Sequence, residues 1–416
     1  MENVKKSIWM IRWMALLLCC IGLFYAKSAA VYAGNLTGVA NLHQKDAKTN
    51  SFKVEWNKDV NAEAYEFQYS ADGSSWSKGT MVYNVYHSVY GLNSGRSYYV
   101  RMRSCAGRKL GTYTVFSAWT APLEVITAPE RVKSEDMKQT DGTAKTITVS
   151  WKPAAGASFY EVMYEKNGSW FSAGTTTSAG YTIKGLETDT LYYVSVKAVR
   201  RSRTGFESGY YYSGGHRCYT TAPKVTGCTL KSWDTATNNI MLKWDSVTKY
   251  GNGYEVRIYN LSGKRIKSFK TAYRSKDFKL SSVKNKGFTF QVRAYKDIDG
   301  KSIYGPWSGK KVVIPQPRVI LKKKGNSQMQ LSWKKVSGAS SYTIYRSTSS
   351  YRGFKKVKTV KTTKYLDKGL ERAKTYYYYV VANKVKVKGK PYNSTKAERR
   401  EIAYLSYSGK TNYIWQ

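Results

Sequence analysis

Four lysines close to the C-terminus have the spacing of one face of a β-strand. Lys384, Lys386 and Lys388 alternate with valines, and Lys390 follows two residues later. Because successive side chains of a strand point to opposite faces, these ammonium groups are expected to share one face and to repeat about every 6.6 Å. Such a row of cations could bind the backbone of an anionic polymer. The alternative is an edge strand that its lysines protect from aggregation.

A second group of lysines precedes Tyr365 in the same region of the chain. It consists of Lys355, Lys356, Lys358 and Lys361. Clustered lysines are typical of surfaces that attract polyanions. We treat the two groups together as the candidate polyanion-binding lysines.

Arginines and aromatic residues are concentrated in a different segment, in the middle of the sequence. The segment contains Arg200, Arg201, Arg203, Phe206, Tyr210, Tyr211 and Tyr212. Arginine beside exposed aromatic rings suits recognition of a sugar or of a protein partner. The alternative is that the three tyrosines pack within an ordinary hairpin.

Residues that could support catalysis are few. The chain has 3 histidines, and none of His43, His87 and His216 stands in a metalloprotease motif. The sequence contains no G-x-S-x-G elbow, phosphate-binding loop or dinucleotide fingerprint. We therefore expect a protein without catalytic residues, a metal or a cofactor.

The charge of the chain is strongly positive and unevenly distributed. The 416 residues include 69 Lys and Arg against 27 Asp and Glu, a net charge of +42. Residues 34–127 and 128–222 each carry a net charge of +3, whereas 223–314 carry +13 and 315–404 carry +19. This asymmetry favours a polyanion-binding C-terminal half. The alternative is a lineage that uses lysine generously on solvated faces.

The N-terminus has the pattern of a secretion signal. A basic start with Lys5, Lys6 and Arg12 precedes a charge-free apolar stretch over 15–26 and then small residues. We predict that 1–33 is a signal peptide and that the secreted chain begins at Val31 or Gly34, without a membrane span. An uncleaved N-terminal anchor is the alternative. The last residues show no sortase motif, so covalent attachment to a cell wall is not expected.

An internal repeat organises the rest of the chain. Tryptophans recur at intervals of 95, 93 and 89 residues, and a tyrosine follows each of them nine or ten residues later. Both residues lie in segments that alternate apolar and polar side chains, which predicts β-strands with one buried face and hence two packed sheets per repeat. The pairs are Trp56 and Tyr65, Trp151 and Tyr160, Trp244 and Tyr254, and Trp333 and Tyr342.

A leucine six residues before a strand-initiating tyrosine is a third landmark. It occurs as Leu92 and Tyr98, Leu186 and Tyr192, and Leu370 and Tyr376. A tyrosine whose hydroxyl bonds back to the preceding backbone is the tyrosine corner of immunoglobulin-like sandwiches. In the third repeat Phe288 occupies this place, with Ser282 six residues before it, so that corner lacks its hydroxyl and its edge is expected to be looser.

Together with a final strand containing Ser-Ala-Trp-Thr or Gly-Pro-Trp-Ser, these landmarks resemble fibronectin type III domains. The segment 331–346 also resembles modules in exported proteins of Gram-positive bacteria. The resemblance covers 34–404 and implies four tandem immunoglobulin-like β-sandwiches in an extended, semi-rigid rod. Prolines at the junctions divide the chain into 34–127, 128–222, 223–314 and 315–404, followed by a tail over 405–416.

Two smaller predictions concern side-chain contacts. After signal cleavage the odd set Cys105, Cys218 and Cys228 remains, which favours buried unpaired thiols over a disulfide framework. If Trp119 lies on the strand next to Arg101 and Arg103, its ring should stack on both guanidinium groups. In the third repeat Trp307 should meet Arg293 alone of that pair, since Gln291 replaces the other arginine.

The sequence leaves two classes of function. The favoured one is a secreted binding or adhesion protein of the cell surface, whose basic domains hold wall teichoic acid, capsule or glycosaminoglycan. Its partner is then an anionic envelope or extracellular polysaccharide, or a surface protein. The other is a passive spacer or accessory subunit of an extracellular polysaccharide-degrading or adhesive assembly. Nucleic acid is a weaker candidate, because no reader motif is present and export removes most targets.

Overall fold

A computed structural model describes residues 36–235 and 237–394 and the backbone of 401–405 and 411–412. The predicted signal peptide, 1–33, lies outside the described residues. The chain forms two compact units, the first over 36–138, 149–182 and 192–217 and the second over 139–148, 183–191 and from 218 onward. Strands dominate throughout, which confirms the predicted all-β class. Within the described residues, no helix is long and apolar enough to cross a membrane.

Eight strands form repeat 1, the predicted domain 34–127. They are β1 (Ala40–Lys48), β2 (Ser51–Asn57), β3 (Ala64–Ser70), β4 (Thr80–Val82), β5 (Tyr86–Tyr90), β6 (Ser97–Lys109), β7 (Thr112–Phe116) and β8 (Leu123–Ile126). One sheet has the order β1-β2-β5, and the other has the order β4-β3-β6-β7 with β8 also paired to β6. Alternate residues of β2, namely Phe52, Val54 and Trp56, are buried and pack with Tyr65 and Phe67 of β3 in one core.

Repeat 2, the predicted domain 128–222, also has eight strands. They are β9 (Lys138–Gly142), β10 (Ile147–Ser150), β11 (Phe159–Lys166), β12 (Ser169–Thr176), β13 (Gly180–Ile183), β14 (Leu191–Arg201), β15 (Glu207–Ser208) and β16 (His216–Tyr219). The sheets have the orders β13-β10-β9 and β12-β11-β14-β15, with β16 paired to β14. A 3-10 turn, Ser134–Asp136, precedes β9.

Repeat 3, the predicted domain 223–314, has the same strand order as repeat 1. Its strands are β17 (Thr229–Asp234), β18 (Asn239–Lys243), β19 (Gly253–Tyr259), β20 (Arg265–Thr271), β21 (Ser275–Lys279), β22 (Phe288–Ile298), β23 (Lys301–Tyr304) and β24 (Lys311–Val313). They form the sheets β17-β18-β21 and β20-β19-β22-β23, with β24 paired to β22. The core includes Ile240, Leu242 and Trp244 on the inward face of β18.

Repeat 4, the predicted domain 315–404, adds a hairpin to the same plan. Its strands are β25 (Val319–Gly325), β26 (Gln328–Trp333), β27 (Ser341–Ser347), β28 (Lys355–Val360), β29 (Lys364–Asp367), β30 (Thr375–Asn383), β31 (Val385–Val387), β32 (Lys390–Tyr392), β33 (Glu401–Leu405) and β34 (Thr411–Asn412). The sheets are β25-β26-β29, β28-β27-β30-β33-β34 and the hairpin β31-β32. Since β34 pairs with β33, residues 411–412 of the predicted tail extend the larger sheet.

The recurring tryptophan and tyrosine form one contact in all four repeats. Their rings meet edge to face, with centroids 5.3–5.6 Å apart and planes inclined by 61–73°. In each repeat the tyrosine hydroxyl also accepts a hydrogen bond from a backbone N–H six or seven residues before it. The donors are Asp59, Ala154, Val247 and Val336. The tyrosine therefore fixes the loop between two strands of different sheets.

The tyrosine corner is present in the first and last repeats. The hydroxyl of Tyr98 accepts a hydrogen bond from the backbone N–H of Asn93, and that of Tyr376 accepts one from Glu371, both at 3.0 Å. Phe288 takes this place in repeat 3, fully buried and 5.4 Å from the ring of Trp233. There a 3-10 turn, Ser281–Val283, closes the corner by its own backbone hydrogen bonds.

Within the described residues the cysteines Cys105, Cys218 and Cys228 are buried and unpaired, as predicted. Burial raises the pKa of each thiol, that of Cys105 to about 11, so the thiols stay protonated at neutral pH. They therefore pack as small apolar side chains.

Candidate functional site

The alternating lysines lie on the β31-β32 hairpin of repeat 4. The intervening Val385 and Val387 are buried in the core, whereas Lys384, Lys386 and Lys388 are exposed to solvent. Their exposure agrees with the predicted alternation, although Lys386 alone lies within a strand. The valines anchor the hairpin, and because of the period of two, Lys386 must point outward. That the lysines form one row stays a prediction.

A two-residue turn that contains Lys388 forms the tip of this hairpin, next to Lys390. Val387 pairs with Lys390, so Lys388 and Gly389 form the loop, with φ of 49° and 80°. Positive φ at both positions is the conformation of a type I′ turn, which suits the twist of two-stranded ribbons. Lys384 also has a positive φ, 56°, and its backbone N–H donates to Oδ1 of Asn393.

The other lysine group lies along β28, which forms the edge of the larger sheet of repeat 4. Lys355, Lys356 and Lys358 are exposed on this strand and Lys361 is exposed just after it, while Val357 packs against the core. Strand β28 pairs with β27 alone. This placement agrees with both interpretations of the lysines, because an edge strand both displays its side chains and needs protection from pairing.

The eight candidate lysines form no ion pair with any residue of the described part of the chain. Residues 315–394 of repeat 4 contain two carboxylates, and each is bound to a residue other than the candidate lysines. Asp367 accepts a hydrogen bond from Arg346 at 2.9 Å, and Glu371 pairs with Lys374 at 2.8 Å. The positive charge of this surface is therefore not neutralised from within the described repeat.

The arginines of repeat 1 have a different environment. The guanidinium groups of Arg101 and Arg103 each lie 4.6 Å from the centre of the Trp119 ring, which confirms the predicted stack. Trp76 covers Arg101 from 4.2 Å, and Glu66 pairs with Arg103 at 2.6 Å. These cations are enclosed by rings and by a carboxylate, so they are not available to a polymer.

A similar stack occurs in repeat 3, with one partner that sequence reasoning missed. Arg293 lies 4.4 Å from Trp307 as expected, but Arg257 lies 4.6 Å from the same ring. Arg257 belongs to the neighbouring strand β19, where it pairs with Gln291 across the sheet. Glu255 forms ion pairs with both arginines. The contact of Arg257 could have been predicted from the sequence, because Arg257 lies two residues after Glu255 and therefore on the same face of β19.

The position that Trp307 occupies is followed in every repeat by a serine or threonine that is hydrogen-bonded to the central strand. Its backbone N–H donates to a carbonyl of the central strand, and its side-chain oxygen accepts the N–H of the same strand residue. The residues are Thr120, Ser213, Ser308 and Ser394. The side chain just before each of them is Trp119, Tyr212, Trp307 and Asn393. In repeat 4 an asparagine thus replaces the aromatic ring, and it holds the lysine hairpin.

The predicted arginine–aromatic surface of repeat 2 is divided by the structure. Arg200 lies in the junction with repeat 1, where its guanidinium group donates to the carbonyl of Gly156 at 2.8 Å and to the hydroxyl of Ser97 at 2.9 Å. Arg201 pairs with Glu207 and lies 5.2 Å from the ring of Phe159. Arg200 therefore connects the two repeats, and its assignment to a sugar or partner surface stays a prediction that these contacts do not favour.

Close packing explains why Arg200 is held at this junction. Gly156 has a φ of 74°, and a Cβ atom there would lie 1.9 Å from the carbonyl oxygen of Gly95. The backbones of the two repeats can approach only because both residues are glycines.

Tyr212 is also engaged internally. Its hydroxyl donates to Oε2 of Glu161 at 2.6 Å, and burial together with this acceptor raises the pKa of Tyr212 to about 12. Tyr210 and Tyr211 remain exposed, at 42% and 60%, with their ring centroids 4.2 Å apart. Arg203 is exposed and Phe206 is half-buried. The exposed part of this surface is thus one pair of tyrosines and two arginines, Arg201 and Arg203.

Comparison with known proteins bears on the second repeat. The family model of the fibronectin type III domain matches residues 128–212. Repeat 2 is thus similar to a fibronectin type III domain. Among curated proteins, none matches the chain. Domains of this type are common in adhesion and binding proteins.

Two solved structures that contain fibronectin type III domains are similar to this chain. The FN1–FN3 domains of chicken CNTN1 have 18% sequence identity and a TM-score of 0.30, and the match covers 66% of this chain and 97% of that one. A segment of two fibronectin type III domains from chicken tenascin has 17% identity and a TM-score of 0.26, and the match covers 44% of this chain and 99% of that one.

Proposed function

We propose that the protein is a secreted, non-enzymatic binding or adhesion protein of the cell surface, whose basic C-terminal repeats hold an anionic polymer. The candidate polymers are wall teichoic acid, anionic capsule and glycosaminoglycan. One observation carries this proposal: eight exposed lysines on repeat 4 lack ion-pair partners among the described residues, while both carboxylates of 315–394 are occupied elsewhere.

Polymer binding would use these lysines collectively. Exposed charges act over a Debye length of about 8 Å at physiological salt, so one charged group gains little from a single lysine. A polymer that contacts several lysines at once releases one counterion for each neutralised charge, and its affinity therefore falls steeply with salt. The hairpin is rigid enough to present such a row because Val385 and Val387 anchor it in the core.

The first two repeats would project outward from the bound polymer. Their near balance of charge and the enclosed arginines of repeat 1 favour a role in display or spacing over polyanion binding. In this arrangement the protein is retained at the cell envelope without covalent attachment. The spacer function is the competing proposal, and the exposed lysines of edge strand β28 are the observation that favours it.

Retention of the full chain on heparin, on purified teichoic acid and on cell walls tests this function. Lys384, Lys386, Lys388 and Lys390 are replaced by Gln in one variant. A matched control replaces the exposed Lys58, Lys109, Lys152 and Lys184 of repeats 1 and 2 by Gln, which changes the net charge equally. A patch with about six contacts should lose on the order of a thousandfold in affinity between 50 and 200 mM salt on a duplex-like charge density, and less on a sparser polymer.

The hairpin variant should elute at lower salt than the control and with a shallower dependence on salt. Equal elution of the two variants, or retention that is indifferent to salt, would show that the lysines are incidental and would favour the spacer function.

A further inference from the structure

A basic cleft lies between repeats 3 and 4, apart from the lysine hairpin and from β28. Its volume is about 430 Å³, within the range of pockets that bind small ligands. Its lining combines three cations, two polar side chains and one apolar side chain. The lining residues are Thr235, Lys284, Asn285, Arg318, Ile320 and Lys334.

Two of the three cations that line the cleft, one from each repeat, have no ion-pair partner among the described residues. They are Lys284 and Lys334, both exposed, and no carboxylate is among the lining residues. An anion entering the cleft therefore meets cations from both repeats.

The two walls of the cleft are held together by direct contacts. The backbone N–H of Ser337 in repeat 4 donates to the carbonyl of Asn285 in repeat 3 at 2.8 Å. Leu261 of repeat 3 packs against the core of repeat 4. A site whose walls are already fixed loses less conformational entropy when a ligand binds than a pair of mobile domains would.

The remaining feature of the cleft is Ile320, which is 59% exposed on β25. An exposed aliphatic side chain beside cations fits a ligand with an apolar surface next to its charge. A saccharide ring that carries a sulfate or phosphate ester has both, because the C–H groups of its ring face are apolar.

We propose that this cleft binds one saccharide unit that carries an oxyanion ester, and that it supplies selectivity which the lysine rows lack. The inference deepens the proposed function, since the unit would belong to the same anionic polymer. The affinity of the lysine rows depends on the charge density of the polymer alone. The affinity of the cleft depends on the position of the anion relative to the sugar ring.

Binding of small probes to the full chain separates the cleft from the lysine rows, because a short ligand cannot span several distant lysines. The probes are a trisulfated heparin disaccharide, a glycerol-phosphate trimer, and inorganic sulfate and phosphate, measured by calorimetry at 150 mM salt. The cleft variant is Lys284→Gln with Lys334→Gln. Its matched control is Lys224→Gln with Lys276→Gln, two exposed lysines of repeat 3 that do not line the cleft.

We expect one disaccharide to bind per chain, with at least a tenfold loss of affinity in the cleft variant and less than a twofold loss in the control. Ile320→Ser should weaken disaccharide binding at least threefold while leaving inorganic sulfate unchanged. Preference for the glycerol-phosphate trimer, which has no sugar ring, would overturn the assignment of a saccharide unit to the cleft. Equal losses in the cleft variant and the control, or no binding of either ester, would overturn the proposal.

The outcome is distinguishable from failure of the proposed function. If long polymers are retained but the small esters do not bind, the cleft proposal fails and the polymer-binding function stands. If the small esters bind in the cleft but long polymers are not retained, the cleft stands and the polymer-binding function fails.

Discussion

Repeats 3 and 4 are built on one plan of two packed sheets, yet they fill two equivalent core positions with different chemistry. In repeat 3 Phe278 of β21 and Phe290 of β22 are buried in an apolar core. The equivalent residues of repeat 4 are Asp367, at the same distance from the recurring tryptophan, and Tyr378, at the same place in the pairing with the strand of the recurring tyrosine. Asp367 is 3% exposed and Tyr378 is fully buried. Repeat 4 therefore has a carboxylate where its neighbour has an aromatic ring.

The carboxylate of Asp367 can be buried because two donors form hydrogen bonds with it. Arg346 donates to Oδ2 of Asp367 at 2.9 Å, and the hydroxyl of Tyr378 donates to the same oxygen at 2.9 Å. Burial, with the adjacent carboxylate as a second cause, raises the pKa of Tyr378, which keeps its hydroxyl protonated as a donor. Inside the domain a charge needs specific partners, whereas the eight candidate lysines on the surface of the same repeat form no ion pair with the described residues. Their unpaired state is thus not imposed by the fold.

Removal of the buried carboxylate should have the largest effect on stability. Asp367→Ala leaves the guanidinium group of Arg346 and the hydroxyl of Tyr378 without their acceptor, which should lower the free energy of unfolding of repeat 4 by about 3–5 kcal/mol. The transition can be followed by urea unfolding with the fluorescence of Trp333. Glu371→Ala is the control, because its side chain is 70% exposed, and it should change stability by less than about 0.5 kcal/mol.

A triple variant sharpens the same comparison by making the core of repeat 4 resemble that of repeat 3. Replacing the cluster by apolar side chains of similar size, as Arg346→Met, Asp367→Leu and Tyr378→Phe, should be neutral or stabilising by up to about 4 kcal/mol. A loss as large as that of Asp367→Ala would mean that the polar cluster is itself required for this core.

The aromatic stack should contribute less than the buried cluster. Trp119→Leu removes contacts with two guanidinium groups and should cost about 1–2 kcal/mol, since each exposed cation–π contact contributes about 0.5–1 kcal/mol. Asn393→Ala at the equivalent position of repeat 4 loses one hydrogen bond to the N–H of Lys384, about 0.5–1.5 kcal/mol. Thermal unfolding of both variants measures the difference, and a larger cost for Asn393→Ala would contradict this assignment.

Tyr212 predicts a change in the alkaline stability of repeat 2. Its pKa is about 12 in the folded protein, above the ordinary value of 10.0, so the folded state holds this proton more tightly. The resulting stabilisation is complete below pH 10 and is lost as the pH rises towards 12. Urea unfolding between pH 9 and 12 should show a steeper loss for the natural protein than for Tyr212→Phe. Parallel pH curves for the two proteins would contradict the raised pKa.

Substitutions in the lysine hairpin should change the free energy of unfolding less than the other variants do. Replacing Lys384, Lys386, Lys388 and Lys390 by Gln removes no ion pair and no core contact, so the free energy of unfolding should change by less than about 0.5 kcal/mol. Differential scanning calorimetry would detect a larger change. A marked destabilisation would show that these side chains have structural partners.

Much of the fold is predictable from the sequence because β-strands alternate strictly. The period of two places Val385 and Val387 inward and their neighbouring lysines outward, and it places Arg101 and Arg103 on one face beneath Trp119. These predictions concern side chains within one strand or on adjacent strands of a recognisable repeat, so local chain geometry is sufficient.

Other contacts join residues whose proximity no local pattern records. The sequence by itself determined the four repeats, the inward and outward faces and the excess of positive charge. The environment of each charge follows from the tertiary structure: Arg346 pairs with Asp367, Arg200 donates to the carbonyl of Gly156, and Lys284 lies in one cleft with Lys334. The physical reason is that a charge is neutralised by whatever lies within a few ångströms in space, and domain junctions and strand register set that distance.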